Sequence, residues 1–258
     1  MQIRHILYGS AVAAVALSMA SGAIARTKPS DGVAGHIPNY QYTNVAPLPG
    51  AGVAINSQGK LDGEGAMQVN IPVAYTPGWG YLSVNDFQGE HPTKTADTFD
   101  NGSSVIGAGF FSKNRVFLSS MQVSSVWKES RAVSTQVSLL DETAKLPALS
   151  VGIQDVLAKE PHGYSEYVVL TKSFAVNGQK LYGSIGYGGG RFLDKTFAGI
   201  SVPVAGSFNL LSEWDGFQLN NGLGWRPGGK DGKLTVYAGY NGHTGVLVGG
   251  GVACSFAK

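Results

Sequence analysis

Residues 137–174 read VSLLDETAKLPALSVGIQDVLAKEPHGYSEYVVLTKSF, and three strand-like runs lie in or across this stretch. Across its upstream edge, Val133, Thr135, Val137 and Leu139 fall on one face, with Ser134, Gln136 and Ser138 on the other. Ala148–Asp155 alternates again, Leu149, Val151 and Ile153 opposing Ser150, Gly152 and Gln154. Ser165–Phe174 is a third, less regular run. A period of two sustained over such lengths is the signal of a β-strand. The link 141–146 is short and polar, and Pro147 can open a strand, where its missing N–H does least harm. The second link, 158–164, carries Pro161 and Gly163. The stretch is an antiparallel meander.

The same pattern extends in both directions. Upstream candidate strands are Ala66–Tyr75, Gly80–Asp86, Ser104–Phe111, Arg115–Ser125 and Arg131–Leu140. Beyond the meander come Lys180–Tyr187, Thr196–Val204, Ser207–Trp214, Gln218–Trp225, Leu234–Tyr240 and Gly245–Phe256. Asn-Gly at 177–178 and 241–242 and Asp-Gly at 215–216 supply the positive φ that tight hairpins need. No stretch carries a helical period. At about 16 residues per strand and turn, 65–258 holds about 12–14 strands, each of a length to cross a bilayer obliquely. The expected fold is all-β, an antiparallel up-and-down transmembrane β-barrel. The alternative is a soluble β-sandwich, whose strands are shorter and joined by Greek-key jumps.

Composition agrees. Only 14% of the residues are charged and 37 are glycine, against about 25% charged in an ordinary soluble domain. Low charge with abundant glycine suits a wall that faces lipid outside and water inside. The net charge of +2 gives no field that calls for nucleic acid. The single cysteine, Cys254, forms no internal disulfide and is expected as a small buried or lipid-facing side chain. The five histidines stand at no metal-ligand spacing, so no metal or other cofactor is expected.

Residues 1–25 read as a secretory signal peptide: Arg4 and His5, an apolar core at 6–20, then Ala23-Ile24-Ala25. Residues 26–64, with Pro29, Pro38, Pro47 and Pro49, read as an extended lead-in, partly disordered or lying across a barrel mouth. The barrel is expected over 65–258.

If the last strand descends to the periplasm, the longer links 87–103, 158–164 and 188–195 fall outside the cell. The tight turns 112–114, 177–178 and 205–206 fall inside, as in outer-membrane barrels. The link 228–232 is an exception. Leu234, Val236 and Ala238 are expected to face lipid, and Thr235 and Tyr237 the lumen. Likewise Leu219, Leu223 and Trp225 oppose Asn220, Gly222 and Arg226, and Val246, Val248 and Val252 oppose Gly249, Gly251 and Ala253. Trp214, Trp225, Tyr240 and Phe256 sit at strand ends, where aromatic girdles belong.

Catalytic sets are lacking. There is no Gly-x-Ser-x-Gly. Gly-Tyr-Gly-Gly-Gly at 186–190 is followed by no helix and reads as a flexible outer loop. The acid pairs Asp141/Glu142 and Glu213/Asp215 read as turn acids, so no enzymatic activity is expected. Candidate lumen residues are Glu166, Lys172, Glu213, Arg226 and Tyr237. Glu166 and Lys172 share the parity of Val168 and Leu170, which leaves their face open. For any single one of them, a charge that fills and braces the barrel interior is the reading preferred over a ligand site.

Leu146–Asp155 (LPALSVGIQD) and Ser165–Phe174 (SEYVVLTKSF), with LLDET at 139–143 and GLGWRP at 222–227, resemble the YjbH-like family. These are Gram-negative outer-membrane β-barrels linked to exopolysaccharide production. The resemblance spans roughly Ser134 to Pro227 and implies a short, single-barrel relative. It implies a non-catalytic role in exopolysaccharide export or surface retention. Outer-membrane lipid, polysaccharide and other secretion components are then the candidate partners. On that reading Tyr182 and Tyr237 would offer aromatic faces to sugar rings, and Glu166 or Arg226 hydrogen bonds. The alternatives are a general small-solute porin, a structural surface barrel, or a soluble periplasmic carbohydrate-binding protein.

Overall fold

The computed structural model describes residues 48–89, 101–124, 129–158, 163–176, 179–205, 207–216, 219–241 and 245–256. The expected signal peptide, the lead-in before residue 48 and the turn tips 177–178 and 242–244 lie outside them. Among the described residues, twelve antiparallel strands follow one another. They are β1 (Tyr81–Gly89), β2 (Asn101–Phe110), β3 (Val116–Ser124), β4 (Glu129–Leu140), β5 (Ala148–Gln154) and β6 (Ser165–Val176). Then come β7 (Gln179–Gly188), β8 (Lys195–Val204), β9 (Phe208–Trp214), β10 (Leu219–Trp225), β11 (Leu234–Asn241) and β12 (Gly245–Ser255). Each pairs with its sequence neighbours, and β12 closes on β1 from Tyr81↔Ser255 to Gly89↔Leu247. Closure leaves no unpaired edge, so this is an up-and-down barrel rather than a sandwich.

The two faces of the wall divide as the alternation requires. Leu234 and Val236 are exposed, while Thr235 and Tyr237 are buried. Leu219, Leu223 and Trp225 are exposed, and Asn220 and Arg226 buried. Val246, Val248 and Val252 are exposed, and Ala253 buried. Half-buried Cys254 takes the opposite parity from Ala253. Trp214, Trp225, Tyr240 and Phe256 are all exposed at the ends of their strands, which fits a girdle and excludes core packing.

An even strand number puts Tyr81 and Ser255 at one end, here called the terminal end. The links 111–115, 141–147, 177–178, 205–207 and 226–233 belong to it. β1 and β2, and β5 and β6, meet at the opposite end, as expected, while 226–233 is the exception foreseen and 141–147 is a second long link at the terminal end.

Two expectations need correction. Of the first two candidate runs only the second enters the wall: Ala66–Tyr75 is not a wall strand, and β1 begins at Tyr81. Met67, Val69, Ile71, Val73 and Tyr75 are almost wholly enclosed. They run inside the barrel, with only isolated bridges to the equally buried 51–55 segment (Ala51↔Gln68, Ile55↔Ala66). Nor are Gly186–Gly190 a flexible loop. Gly186 and Gly188 belong to β7, and Gly190–Phe192 form a short 3-10 turn with Arg191 and Phe192 buried. Gly186 lacks a side chain on the inner face because the Phe197 ring fills that space.

Candidate functional site

The buried amides and carbonyls of the enclosed segment need partners. Residues 49–55 supply some from their backbone: Ala66 and Ile55 exchange N–H···O bonds at 2.9 Å, and the Gln68 and Val73 amides donate to the carbonyls of Gly50 and Pro49. The inner face of the wall supplies others from side chains. Gln136 on β4 donates Nε2 to the Val73 carbonyl (3.0 Å) and is in turn fixed by the Tyr167 hydroxyl at its Oε1 (2.8 Å). The Ala74 amide donates to Thr171 Oγ1 (2.8 Å), and its carbonyl accepts from Ser150 Oγ (2.6 Å). The Met67 amide donates to Ser201 Oγ (3.1 Å). Asn209 donates to the Gly63 carbonyl (3.0 Å) and Asn85 to that of Ala51 (3.3 Å). These residues come from six of the twelve strands, so the enclosed segment is tied around much of the wall.

Glycines on the inner face make the room. A Cβ on Gly199 would stand 2.7 Å from Ile71 Cδ1, and one on Gly224 would stand 2.6 Å from Met67 Cε. Apolar contacts add to these bonds. Val53, Ile55, Ile71, Val73 and Tyr75 pack with Tyr81, Phe117, Tyr167, Tyr182 and Phe197. Met67 and Val69 pack with Phe87, Leu211, Tyr237 and Leu247.

The six candidate residues are not gathered into one ligand site. Glu213 is enclosed on the inner face of β9. Its carboxylate accepts the amides of both Val69 and Asn70, the second at 2.9 Å. Tyr182 donates its hydroxyl to the Glu64 carbonyl (2.6 Å), and its ring meets Tyr75 edge-on at 6.0 Å. Tyr237 lies edge-on to Phe87 at 5.7 Å and over Gly222. The aromatic faces expected for sugar rings are thus covered by the chain itself. Arg226 is buried at the terminal end beside Asp62, Tyr81 and Asp231. Burial pulls its guanidinium below the usual value, and those neighbours push back.

Glu166 and Lys172 take the outward parity of Val168 and Leu170, not the lumen parity of Tyr167 and Val169. Glu166 is buried at its end of β6. Lys172 clasps the β4–β5 turn: its Nζ donates to the carbonyls of Thr143, Ala144 (3.3 Å) and Leu146 (3.4 Å) and lies 3.2 Å from Glu142.

Two groups of contacts at the terminal end hold the segment as it leaves the lumen. Arg115 donates Nε to the Thr76 carbonyl (2.7 Å) and pairs with Asp141 (2.5 Å). Gly59 (φ 72°) lies against that same carbonyl, a place and a backbone conformation that only glycine fits well. Glu142 accepts the Tyr75 hydroxyl, the Ser173 hydroxyl (2.6 Å) and the Ser173 amide (3.1 Å). Burial alone would raise its carboxyl. The bonds from Ser173 and Tyr75, with Lys172 alongside, outweigh burial and hold it below the ordinary carboxylate value.

These anchors were missed because Gln136, Ser150, Thr171 and Asn209 read in the sequence only as polar members of an alternating strand. One signal was available: Pro72 lies in the middle of Ala66–Tyr75, and a central wall strand does not accommodate proline well.

The arrangement binds its own chain. No curated protein matches this sequence. The family described as "Exopolysaccharide biosynthesis protein YbjH" (YjbH) matches residues 69–214, from the enclosed segment through β9. That is more than half of the 258 residues, and with the closed barrel it establishes that the chain belongs to the YjbH exopolysaccharide family.

Proposed function

We propose that this is an exported outer-membrane barrel that helps hold exopolysaccharide at the cell surface, making and breaking no bond. The terminal end would face the periplasm. The observation that carries the choice of retention over conduction is the filled lumen: Val69, Ile71, Val73, Ala74 and Tyr75 are fully enclosed. A chain of sugars, polar and bulky, would have to displace them to pass. The general-porin reading loses its support for the same reason. Membrane residence is supported by the exposed apolar outer face. Val84, Ile106, Ile185, Ile200, Leu210 and Val252 are each about half exposed, a pattern suited to lipid and costly in water.

A deletion strain tests the proposal. Cell-associated polysaccharide should fall and released polysaccharide rise, with the total unchanged. The purified barrel should show no steady conductance in a planar bilayer, and the protein should stay with envelopes through a carbonate wash. Unchanged polysaccharide in both fractions together with steady small-ion conductance would restore the porin reading. Release by carbonate would end the membrane reading.

A further inference from the structure

The outer surface is not uniformly convex. A groove of about 670 Å³ crosses strands β6 to β10. Its sides are Phe174, Ile185, Ile200 and Trp214, all exposed. Its floor is formed by small residues in register between them, Gly183 beside Ile200 and Ala198 beside Ile185. Gly183 owes nothing to internal packing. A Cβ there would meet only Phe174 Cε2 at 3.5 Å, an ordinary contact, so the space above it is open.

One rim of the groove is the β4–β5 turn, which presents Lys145. This turn is held in shape. The Thr143 amide donates to the Leu146 carbonyl (3.0 Å), the Leu146 amide donates to Thr143 Oγ1 (3.0 Å), and Lys172 ties three of its carbonyls. Lys172 spends its charge on Glu142, whereas Lys145 is exposed. The groove therefore has an apolar trough and, on a turn of held backbone at the terminal end of the wall, an exposed lysine at its rim.

We propose that this groove is a site for one anionic phospholipid, an acyl chain lying over Gly183 and Ala198 and the headgroup phosphate meeting Lys145. The inference rests on the membrane reading above. It commits the headgroup to the terminal end, because Lys145 is carried by a terminal-end turn, and the acyl chain runs from there toward Trp214 at the other end of β9. A long ammonium side chain at that level can reach the headgroup layer while its stem stays against apolar surface. Attraction between an interfacial lysine and anionic lipid is worth on the order of a fivefold preference.

The test uses the full chain purified into detergent, exchanged with phosphatidylglycerol or phosphatidylcholine, and analysed for retained lipid by native mass spectrometry. Wild type should retain phosphatidylglycerol about fivefold over phosphatidylcholine. Gly183→Leu, which fills the floor, should lose both lipids. Lys145→Glu, an exposed turn change, should lose only the preference. Heat-modifiable gel migration checks that each variant is folded, and Lys145→Glu keeps the test decisive if Gly183→Leu fails to fold. Equal retention of the two lipids by wild type, or variants indistinguishable from it, would mean annular lipid only and overturn the site. A lipid-free dimer lost on Gly183→Leu would assign the groove to a second copy and overturn it too. Flotation of wild type with vesicles separates the two failures: a chain that does not float sinks the membrane reading, and one that floats without lipid preference sinks only the site.

Discussion

In the wall, Val84, Ile106, Val168, Ile185, Val236 and Val248 point outward and are exposed, while Ser134, Gln136, Ser150, Thr171, Ser201 and Glu213 point inward and are buried. In the enclosed segment the order is reversed. Val69, Ile71 and Val73 are buried against the wall's inner face, and the segment's backbone is bonded by that face's polar side chains. A barrel that gives its aliphatic residues to the outside cannot build a conventional core from strands alone. Here the core is completed by another part of the chain, which brings apolar side chains inward and consumes the polar groups the wall would otherwise offer to water. A polar inner face is therefore not the same as a wet one. It can be the complement of an extended backbone, since each residue of such a backbone offers a donor and an acceptor.

The largest effect is expected from charging the enclosed segment. Ile71→Arg places a cation with no room beside Gly199, at an expected cost above about 4 kcal/mol. The folded fraction, read by heat-modifiable gel migration after refolding, should be close to nil. Wild-type yield would show that 66–76 is not packed inside.

A second pair of variants probes the two faces of one strand. Val236→Arg puts the cation on the outer face, at about 2–4 kcal/mol near a bilayer midplane. On sequence grounds Thr235→Arg, facing a wet lumen, should be mild. With Thr235 only 3% exposed, comparable damage is expected instead. The two should differ in their dependence on surroundings. The Val236→Arg loss should be larger in lipid vesicles than in micelles, and the Thr235→Arg loss similar in both. A mild Thr235→Arg in both media would return the lumen to water.

The smallest effect concerns the exit of the segment at Tyr75 and Glu142. Because the folded-state carboxyl of Glu142 is depressed, its contribution is fully present above the ordinary carboxylate value of about 4.3. It is lost as pH falls through the lower folded value. For a part-exposed group this amounts to no more than about 1 kcal/mol. The thermal midpoint of wild type should therefore fall slightly more than that of Glu142→Gln between about pH 6 and pH 3. Parallel curves would remove Glu142 from the set of anchors.

Alternation alone determined the all-β class and the outward and inward faces of the later strands. The turn signals placed most strand limits to within a few residues, and the run expected from Ser165 to Phe174 lies within β6, which starts at the same residue. The wording of 146–155 and 165–174 pointed to the family. These features were legible because each is set by residues close in sequence, through the two-residue period of the pleat and the φ preferences of glycine and asparagine. Only the tertiary structure decided what lies within. Met67, Val69, Ile71 and Val73 alternate with Gln68 and Asn70 as a wall strand would, and alternation reports that one face is apolar without saying whether lipid or the lumen receives it. Glu213 and Gln136 likewise appear in sequence as lumen groups awaiting a ligand. Their partners, Asn70 and Val73, lie 143 and 63 residues away, and only closure of the barrel brings them together.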